Sequence, residues 1–528
     1  MRATPLIIAA LLGAVSVAGF APFHLYALPI LTLAFLFRLW NDAPTARAAM
    51  ALGFVFGLGF FLTGTSWIYV SLHRFGGMPA LLTAASTLVF CAVVSMYPAL
   101  AGLVAHWVGR SRSQSQAQSQ SQSQSRSQGF TATSALLTMP ACWTLGELGR
   151  GTLLTGFPWL GLGYSQVAES PLAGYAAVLG SYGVAWVAAT CAGALALIVS
   201  RLAVDARRAL LPVAVMAAIV VAGGVLRTVE WTTPLGAPVS VALLQGNVAQ
   251  ERKFSPEVLP SIFAQYRTMV EKTDARLVIL PETAFPIFLH ELEPEYLAAL
   301  AGRVAQRGGD MVFGIAIADV SRRAYYNAVV SAGVSQPQLY RKQHLVPFGE
   351  YLPLRFLFSW VLDVLNMPMA DFDTGPANPP PIAVGGQRLA VSICYEDAFG
   401  SEMRGQLPAA TALVNVSNDA WFGESLAAEQ HWQIAQMRAL EAGRTMLRAN
   451  NTGITGIIGP DGRTISRLPA FTIDTLVGEL QGRTGSTPYV RWGEWAVVIA
   501  ITAILIGSVA AAVLSRRRIV RSATTSSR

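Results

Sequence analysis

Long apolar runs fill most of the first 228 residues of this 528-residue chain, and they constrain its fold more than any other feature. We predict membrane spans over residues 5–21, 25–40, 48–70, 80–108, 132–149, 172–200 and 209–226, with an eighth over 494–514. Most approach the roughly 20 residues that a helix needs to cross about 30 Å of hydrocarbon. The sequence therefore predicts an α-helical polytopic membrane domain, although the first run also fits a cleaved signal peptide.

Arginines between the runs predict the orientation of these spans. If the N-terminus is cytoplasmic, the inner segments hold fourteen arginines and the outer side of the membrane part holds three, Arg74, Arg150 and Arg227. Cytoplasmic loops of membrane proteins carry an excess of Lys and Arg. We therefore expect both termini in the cytoplasm, a membrane domain over 1–228, an exported domain over 229–492, a last span over 493–515 and a basic tail over 516–528.

The distribution of charge argues against a nucleic-acid partner. Residues 228–492 contain 21 Lys plus Arg and 25 Asp plus Glu, a net charge of −4. The net charge of the whole chain is +8, so the remaining residues carry a net charge of +12. A nucleic-acid-binding protein would carry its positive charge on the soluble domain. Residues 111–128 are an almost pure Ser-Gln repeat, which has no apolar face to bury and predicts a flexible cytoplasmic linker.

From about residue 229 the composition becomes that of a soluble α/β domain. Runs rich in Val, Ile and Leu, bounded by turn residues, predict strands at 239–244, 277–280, 311–317, 328–332, 389–393 and 412–416. Helical patterns lie at 257–272, 294–307 and 429–448. About 265 residues are enough for one domain with its own core, so we expect sheets covered by helices.

Cys394 is the one cysteine of this predicted domain, because Cys91, Cys142 and Cys191 fall within predicted spans. It cannot form an internal disulfide and should be a free thiol. A lone cysteine is commonly a small buried hydrophobe. Here, however, an apolar strand pattern ends at Ile393 and the chain turns polar at once. Such a junction exposes a nucleophile while fixing its backbone, so Cys394 is a candidate nucleophile.

Two carboxylates and a lysine accompany this thiol in the sequence. Glu282 directly follows a predicted strand, and Lys342 and Glu350 flank a turn. Taken alone, Glu282 also fits a helix cap, and Lys342 with Glu350 fits a solvated surface pair. A nucleophilic thiol requires a base and a group that stabilises charge, and these residues supply both. The histidines never occur at metal-ligand spacing with a Cys or an acidic residue, so we expect neither a metal nor a cofactor.

Three of these residues, each beside a strand-like run, resemble the Glu–Lys–Cys triad of the nitrilase (carbon–nitrogen hydrolase) superfamily. In chain order they are Glu282, Lys342 and Cys394. The resemblance covers about residues 237–480 and implies an extracytoplasmic α/β domain, an α-β-β-α sandwich. Because this domain is combined with about eight predicted spans, the whole chain resembles the apolipoprotein N-acyltransferase family of the bacterial inner membrane. The supporting stretches are Gln245-Gly246-Asn247, His344 to Tyr351, Cys394-Tyr395-Glu396, Val414 to Gly423, Phe20 to Phe23 and Phe157 to Gln166.

This resemblance implies transfer of a fatty acyl chain from a phospholipid to the α-amino group of a lipoprotein's N-terminal S-diacylglyceryl-cysteine. Glu282 would take the thiol proton, Cys394 would form a thioester, and Lys342, held by Glu350, would stabilise the oxyanion. Tyr395 and Glu396 are candidate supporting residues, although Glu396 also fits a surface carboxylate.

Two further features bear on lipid contact. Phe254 stands where the family pattern has Trp, so an aromatic ring is kept and the indole N–H is lost. Residues 352–369 are strongly apolar, and Phe358 and Trp360 within them fit either ordinary core or an arm that dips into the membrane interface.

Two rival functions are compatible with parts of this pattern. The triad also serves a membrane-tethered amidase or nitrilase-type hydrolase that uses water as acceptor. A non-catalytic transporter would require ionisable groups along the spans, and we find only Glu147 and Arg150, near a span end.

Overall fold

The computed structural model describes residues 3–119, 130–167, 169–202, 204–353 and 371–526. The chain divides into two compact units. A helical unit comprises residues 1–66, 85–229 and 494–528, and a unit of mixed sheet and helix comprises residues 67–84 and 230–493. The second unit therefore includes a short segment from the N-terminal half of the chain.

The helical unit is built from long apolar helices. Its main helices are Ala3–Ser16, Leu28–Asp42, Ala46–Gly64, Ala80–Ser119, Met139–Thr152, Ala176–Leu202, Leu210–Leu226 and Trp495–Ser526. Within the described residues, five stretches are long and apolar enough to cross a membrane: Ala46–Gly64, Ala80–Gly109, Pro171–Leu202, Ala206–Leu226 and Trp495–Leu514. These five coincide with five of the eight predicted spans.

The other three predicted spans give shorter helices. The run at 5–21 forms the apolar helix Ala3–Gly19. Prolines lie in the first turns of Leu28–Asp42 and Met139–Thr152, and proline favours the start of a helix because it lacks an N–H. The helix Ala80–Ser119 also continues into the Ser-Gln repeat, where we expected a flexible linker. Extending an existing helix avoids the cost of nucleation. The rest of the repeat, residues 120–128, lies outside the described residues.

The second unit contains fifteen strands within its described residues. They are β1 Thr232–Pro234, β2 Val239–Gln245, β3 Leu277–Ile279, β4 Phe285–Phe288, β5 Asp310–Asp319, β6 Ala324–Gly333, β7 Leu339–Arg341, β8 Ile382–Val384, β9 Gln387–Ile393, β10 Ala412–Ser417, β11 Met446–Asn450, β12 Gly456–Ile458, β13 Thr464–Arg467, β14 Asp474–Leu480 and β15 Arg483–Gly485. All six predicted strands are confirmed.

These strands form two large sheets and a small one. One sheet has the order β14-β2-β3-β5-β6-β7 with β4 beside β5, the other has the order β13-β12-β11-β10-β9-β8, and β1 pairs with β15. The pairs β2–β3 and β3–β5 are parallel, as are β9–β10 and β10–β11. Parallel strands require crossover connections, which the intervening helices supply.

Buried side chains define the layers of this unit. Val241, Leu243 and Ile279 of one sheet share a single core with Val391 and Val414 of the other. The opposite face of the first sheet packs against helices Leu259–Lys272 and Pro294–Ala305, and that of the second sheet packs against helix Ala427–Ala442. Helix, sheet, sheet and helix therefore follow one another, and both sheets are covered.

One helix ends earlier than its sequence pattern predicted. We expected helix over 429–448, but the helix ends at Ala442 and β11 begins at Met446. Gly443 has a φ of +60° and its N–H bonds back to the Ala439 carbonyl. Glycine adopts this left-handed conformation without a steric penalty, so it ends the helix and lets residues 446–450 join the sheet.

The segment Trp67–Ala84 packs against two loops of the second unit. The Ser71 hydroxyl donates to the Trp421 carbonyl at 2.7 Å, and the Trp67 ring lies 4.7 Å from the Phe422 ring. Arg74 forms a 3.3 Å ion pair with Glu251, in the loop after β2. This segment therefore belongs to the core architecture of the unit that holds the candidate site.

Candidate active site

Three strand ends bring the predicted triad together. Glu282 lies three residues after β3, Lys342 directly follows β7, and Cys394 directly follows β9. Strands β3 and β7 run in the same direction, because β6 is antiparallel to both β5 and β7. Their carboxyl ends therefore lie at one edge of the sheet, next to the end of β9 in the facing sheet. The charges of Glu282 and Lys342 both act on the Cys394 thiol.

The backbone of the candidate nucleophile is held in an uncommon conformation. Cys394 has a φ of +53°, a left-handed value that side chains other than glycine rarely adopt. Its carbonyl oxygen accepts a hydrogen bond from Asn415 Nδ2 at 3.1 Å and lies 3.3 Å from His431 Nε2. Cys394 as a whole residue is partly exposed, whereas the other three cysteines are buried. The predicted strand-to-turn junction with a fixed backbone is therefore present.

A glycine permits the close approach of the strand that carries Glu282. A Cβ added to Gly314 of β5 would lie 2.6 Å from the Glu282 Cα and 2.7 Å from the Pro281 carbonyl oxygen. Such distances are far below van der Waals contact. Gly314 therefore lets β5 pack directly beneath the backbone that presents the Glu282 carboxylate.

Lys342 is buried among carboxylates, so the surface-pair interpretation is wrong. Its side chain is 1% exposed, and Nζ lies 2.9 Å from Glu350 Oε1 and 3.6 Å from Glu282 Oε1. Asn327 Nδ2 donates to both Glu282 Oε1, at 2.8 Å, and Glu350 Oε1, at 2.9 Å. Glu350 Oε2 accepts from the Val346 N–H at 2.9 Å. The lysine and both carboxylates are thus fixed by one connected network.

Burial and neighbouring charges set the protonation states of this cluster. Burial opposes the charge of Lys342, but Glu350 and Glu282 outweigh it and raise the lysine pKa well above its usual range. Burial, reinforced by Glu282, raises the pKa of the Cys394 thiol well above its ordinary value, while Lys342 acts to lower it. These shifts favour a charged Lys342 and a protonated Cys394, so Cys394 would need a base to act as a nucleophile.

Glu396 connects the loop of the lysine to the loop of the cysteine. It is 2% exposed, so the alternative of a surface carboxylate is wrong. Oε1 accepts from the backbone N–H groups of Gln343 at 2.5 Å and His344 at 3.1 Å, and Oε2 accepts from the Tyr340 hydroxyl at 2.9 Å and the Ile393 N–H at 2.6 Å. These four bonds tie the end of β9 to β7 and to the residues that follow it.

A fully buried ionic cluster lies beneath the nucleophile, and its members are Asp397, Asn415, Asp419, His431 and Arg448. His431 Nε2 is 2.9 Å from Asp397 Oδ1, and Nδ1 is 2.9 Å from Asp419 Oδ1. Arg448 Nη1 donates to Asp397 Oδ2 at 2.9 Å and to Asn415 Oδ1 at 2.8 Å. Burial and Arg448 lower the pKa of His431, but the two carboxylates prevail and raise it to about 9.

A second buried lysine adjoins the candidate base. Lys253 is 2% exposed, and its Nζ donates to the Glu282 backbone carbonyl at 3.2 Å. Burial lowers the lysine pKa to about 8, and the negative charge of Glu282 opposes that shift. Our sequence reasoning did not identify Lys253. The sequence also gave no role to Asn327 or Asn415, although each interrupts the apolar part of a strand.

Of the remaining predicted site residues, the structure describes two and leaves two outside its described ranges. Tyr395 is 9% exposed and its ring packs edge-on against Phe399, with centroids 5.1 Å apart. Phe254 is half-buried, directly after Lys253. Phe358 and Trp360 lie outside the described residues.

Comparisons with known proteins identify the family to which the chain belongs. Residues 12–194 match the family described as apolipoprotein N-acyltransferase N-terminal domain, and residues 240–489 match the carbon–nitrogen hydrolase family. An apolipoprotein N-acyltransferase from Nitrosomonas europaea is 44% identical over 97% of this chain and 98% of its own length. The chain belongs to the apolipoprotein N-acyltransferase family. A relative with the same name from Methylococcus capsulatus is 42% identical over 91% of each chain.

Family membership establishes the class of the enzyme. A member of the apolipoprotein N-acyltransferase family is an acyltransferase of lipoprotein maturation, within the carbon–nitrogen hydrolase superfamily. Among solved structures, Nit3 of Saccharomyces cerevisiae, a nitrilase-superfamily protein, is similar with a TM-score of 0.35 and 18% identity, over 50% of this chain and 95% of that chain.

Proposed function

We propose that this enzyme transfers a fatty acyl chain through a thioester on Cys394, from a phospholipid to the α-amino group of an S-diacylglyceryl-cysteine. The observation that carries this proposal is the convergence of Glu282, Lys342 and Cys394 at three strand ends, with Lys342 buried and charged. A cation held in that position favours any negative charge that develops next to the thiol. Homology supports the same transfer.

The first half-reaction forms the acyl-enzyme. The Glu282 carboxylate takes the proton from Cys394 Sγ as sulfur attacks the ester carbonyl carbon of the phospholipid. Lys342 stabilises the resulting oxyanion, and Glu350 and Asn327 hold the ammonium and the base in place. The carbon–oxygen bond of the ester then breaks, Glu282 returns the proton to the leaving oxygen, and a lysophospholipid departs.

The second half-reaction consumes the thioester. The neutral α-amino group of the lipoprotein attacks the thioester carbonyl, and Lys342 again stabilises the oxyanion. The carbon–sulfur bond breaks, the amine proton passes through Glu282 to the Cys394 sulfur, and an amide is formed. We place this chemistry on the outer face of the bacterial inner membrane, with both termini cytoplasmic, because the arginine distribution favours that orientation.

The mass of the full-length protein tests the nucleophile, the donor and the class of reaction together. Incubation of the purified chain with phospholipid alone should add the mass of one acyl group, and a diacylated lipopeptide should then remove it as an N-acylated product. Cys394→Ala should abolish the mass increase, and the matched control Cys191→Ala, a buried cysteine of the helical unit, should retain it. Acylation that persists in Cys394→Ala would overturn the proposal. Release of free fatty acid without N-acylated peptide would instead support the hydrolase.

The pH dependence of acylation tests the role of Glu282. Because the thiol pKa is raised well above its ordinary value, Glu282→Gln should slow acyl-enzyme formation by about 100-fold or more at pH 7. The loss should shrink as pH rises, since hydroxide then removes the thiol proton directly. A Glu282→Gln variant that acylates at the wild-type rate at pH 7 would exclude this residue as the base.

A further inference from the structure

The proposed acyl transfer leaves one buried lysine without a role. Lys253 is 2% exposed, and it forms no ion pair within the residues that the structure describes. Its Nζ donates instead to a backbone carbonyl, that of Glu282, at 3.2 Å. A buried charge without a charged partner is costly, and an apolar side chain of similar length would stabilise the fold at least as well. The stability of the fold therefore does not explain Lys253.

Lysine is rare in this chain, and the two buried lysines lie beside the same residue. Lys and Arg together number 38, and only three of them are lysines, which leaves 35 arginines. Lys272 is exposed, whereas Lys253 and Lys342 are buried. Lys342 Nζ lies 3.6 Å from a carboxylate oxygen of Glu282, and Lys253 contacts the carbonyl of that residue. Two lysines thus act on the candidate base, one on its side chain and one on its backbone.

The carbonyl that Lys253 contacts belongs to a strained turn. It is part of the peptide bond between Glu282 and Thr283, and Thr283 has a φ of +49°. A β-branched residue rarely adopts this left-handed conformation, which persists only where the surroundings enforce it. Two backbone hydrogen bonds to Gly314 of β5 fix the ends of the turn, residues 281 and 284. The hydrogen bond from Lys253 holds the middle of the turn, from which the Glu282 side chain projects.

The loop that carries Lys253 is itself anchored to the other large sheet. The Val248 N–H donates to Asn451 Oδ1 at 2.9 Å, and Asn451 Nδ2 donates to the Val248 carbonyl at 2.8 Å. Asn418 Nδ2 donates to Gln250 Oε1 at 2.8 Å. Asn418 and Asn451 directly follow β10 and β11, in the sheet whose strand β9 ends at the candidate nucleophile. Lys253 therefore connects the turn of the candidate base to the sheet that carries the thiol.

We propose that Lys253 is a positioning residue: it holds the strained turn at Glu282 and Thr283 in a fixed place relative to Cys394, and its charge favours the ionised form of the Glu282 carboxylate. A nearby positive charge favours a carboxylate over its protonated form. The attraction is mutual, because the negative charge of Glu282 also favours protonated Lys253. Lys253 acts on the reaction only through Glu282. The inference therefore rests on the proposed function, in which Glu282 is the base.

A double-mutant cycle tests whether Lys253 acts through Glu282. The full-length chains are the wild type, Lys253→Met, Glu282→Gln and the double variant, and the measurement is the rate of mass increase with phospholipid at pH 7. Lys253→Met should slow acylation by about tenfold in the wild-type background and have no further effect in Glu282→Gln. It should also shift the acid limb of the pH–rate profile to higher pH, because the carboxylate has lost a positive neighbour. Lys272→Met, at an exposed position, should change neither.

Titration of the lysines tests the same coupling without any change at Lys253. Selective ¹³C labelling of the lysine ε-carbons labels only three residues, and Lys272→Arg identifies the NMR signal of the exposed one. Burial lowers the pKa of Lys253 to about 8, whereas the pKa of Lys342 lies well above its usual range, so the two buried lysines titrate separately. Glu282→Gln should move the Lys253 titration to lower pH, because the Glu282 charge opposes the effect of burial.

The outcomes separate this inference from a purely structural role. Lys253→Met should keep the wild-type unfolding temperature, because it exchanges an unpaired buried charge for an apolar side chain of similar length. A wild-type acylation rate in Lys253→Met, or an equal loss of rate with and without Glu282, would overturn the positioning role. If Lys253→Met does not fold, the titration decides, and a Lys253 signal that does not respond to Glu282→Gln overturns the inference.

Failure of the proposed function has a different signature. The wild type would then gain no acyl group, or Glu282→Gln would acylate at the wild-type rate. The titration of Lys253 would still report its contact with Glu282, because that measurement requires no turnover.

Discussion

At the scale of single residues, the amide of Asn327 organises the candidate site. Its one nitrogen reaches both Glu282 and Glu350, and its backbone carbonyl accepts from the Lys342 N–H at 2.9 Å. Two carboxylates so close together repel each other unless a donor and a cation lie between them. Asn327 and Lys342 supply these two groups.

Replacing this amide by a carboxylate should therefore disable the site while keeping its shape. Asn327→Asp removes a donor and adds a third negative charge, so we expect acyl-enzyme formation to fall by about 100-fold. The measurement is the rate of mass increase on the full chain with phospholipid. Gln336→Glu, the same amide-to-acid change at an exposed position, should leave the rate unchanged. Equal rates for Asn327→Asp and the wild type would show that the amide is dispensable.

Sequence reasoning at this scale predicted the three residues of the candidate triad and missed most of the residues that contact them. Glu282 and Cys394 each follow a predicted strand, whereas Lys342 follows β7, which was not among the predicted strands. Lys253 and His431 lie in a loop and in a helix, and nothing local distinguishes them from ordinary polar residues. Their partners are distant in the chain, and only tertiary packing brings them together.

At the scale of elements, the ionic cluster beneath Cys394 joins β10, β11, the turn after β9 and the helix Ala427–Ala442. His431 comes from the helix, Arg448 from β11, and Asp397 from the turn. Buried ion pairs of this kind add little stability compared with apolar packing, but removing one partner is costly. We infer that the cluster fixes how these elements meet at the Cys394 carbonyl.

The stability of the protein should consequently depend on the protonation of His431. Its pKa rises from an ordinary 6.5 to about 9 on folding, so the folded chain holds this proton more tightly. The stabilisation, on the order of 3 kcal/mol, is complete below about pH 6.5 and is lost as pH rises to 9. In thermal unfolding of the full chain between pH 6 and 9, His431→Gln should lose this dependence.

A matched change elsewhere controls for the loss of any histidine. His290 is exposed, and His290→Gln should retain the wild-type dependence of the unfolding temperature on pH. A His431→Gln variant that keeps the same dependence would place the responsible proton on another group.

The elements themselves were largely predictable, for reasons that differ between strands and helices. Buried strands of the two sheets are continuous apolar runs, as expected where both faces are covered. The end of helix Ala427–Ala442 was not predictable from the sequence, because the pattern after Gly443 remains compatible with a helix. The backbone at Gly443 decides that point, and backbone conformation depends on the sheet that residues 446–450 enter.

At the scale of the whole molecule, composition and charge predict a membrane anchor and a separate catalytic part. The arginine distribution predicts the orientation of the anchor, and the family relationship covers nearly the full chain. The number of spans was less predictable. The run at 25–40, for example, gives the 15-residue helix Leu28–Asp42, which has a proline in its first turn.

Engineered cysteines should reveal the orientation. In a Cys394→Ala background, the other three cysteines are buried. Gln336→Cys, exposed in the turn between β6 and β7, should react with a membrane-impermeant maleimide added to intact spheroplasts. Ser522→Cys, in the basic tail, should react only after the membrane is permeabilised. The reverse labelling pattern would invert the predicted topology.

The segment Trp67–Ala84 has a consequence for modularity. Because Ser71, Trp67 and Arg74 contact the loops at Trp421, Phe422 and Glu251, the unit that contains the triad is not one continuous stretch of chain. An excised fragment of residues 230–493 would expose the surfaces that this segment covers. Chimeras between relatives should therefore exchange residues 67–84 together with the catalytic portion, so that these contacting surfaces stay matched.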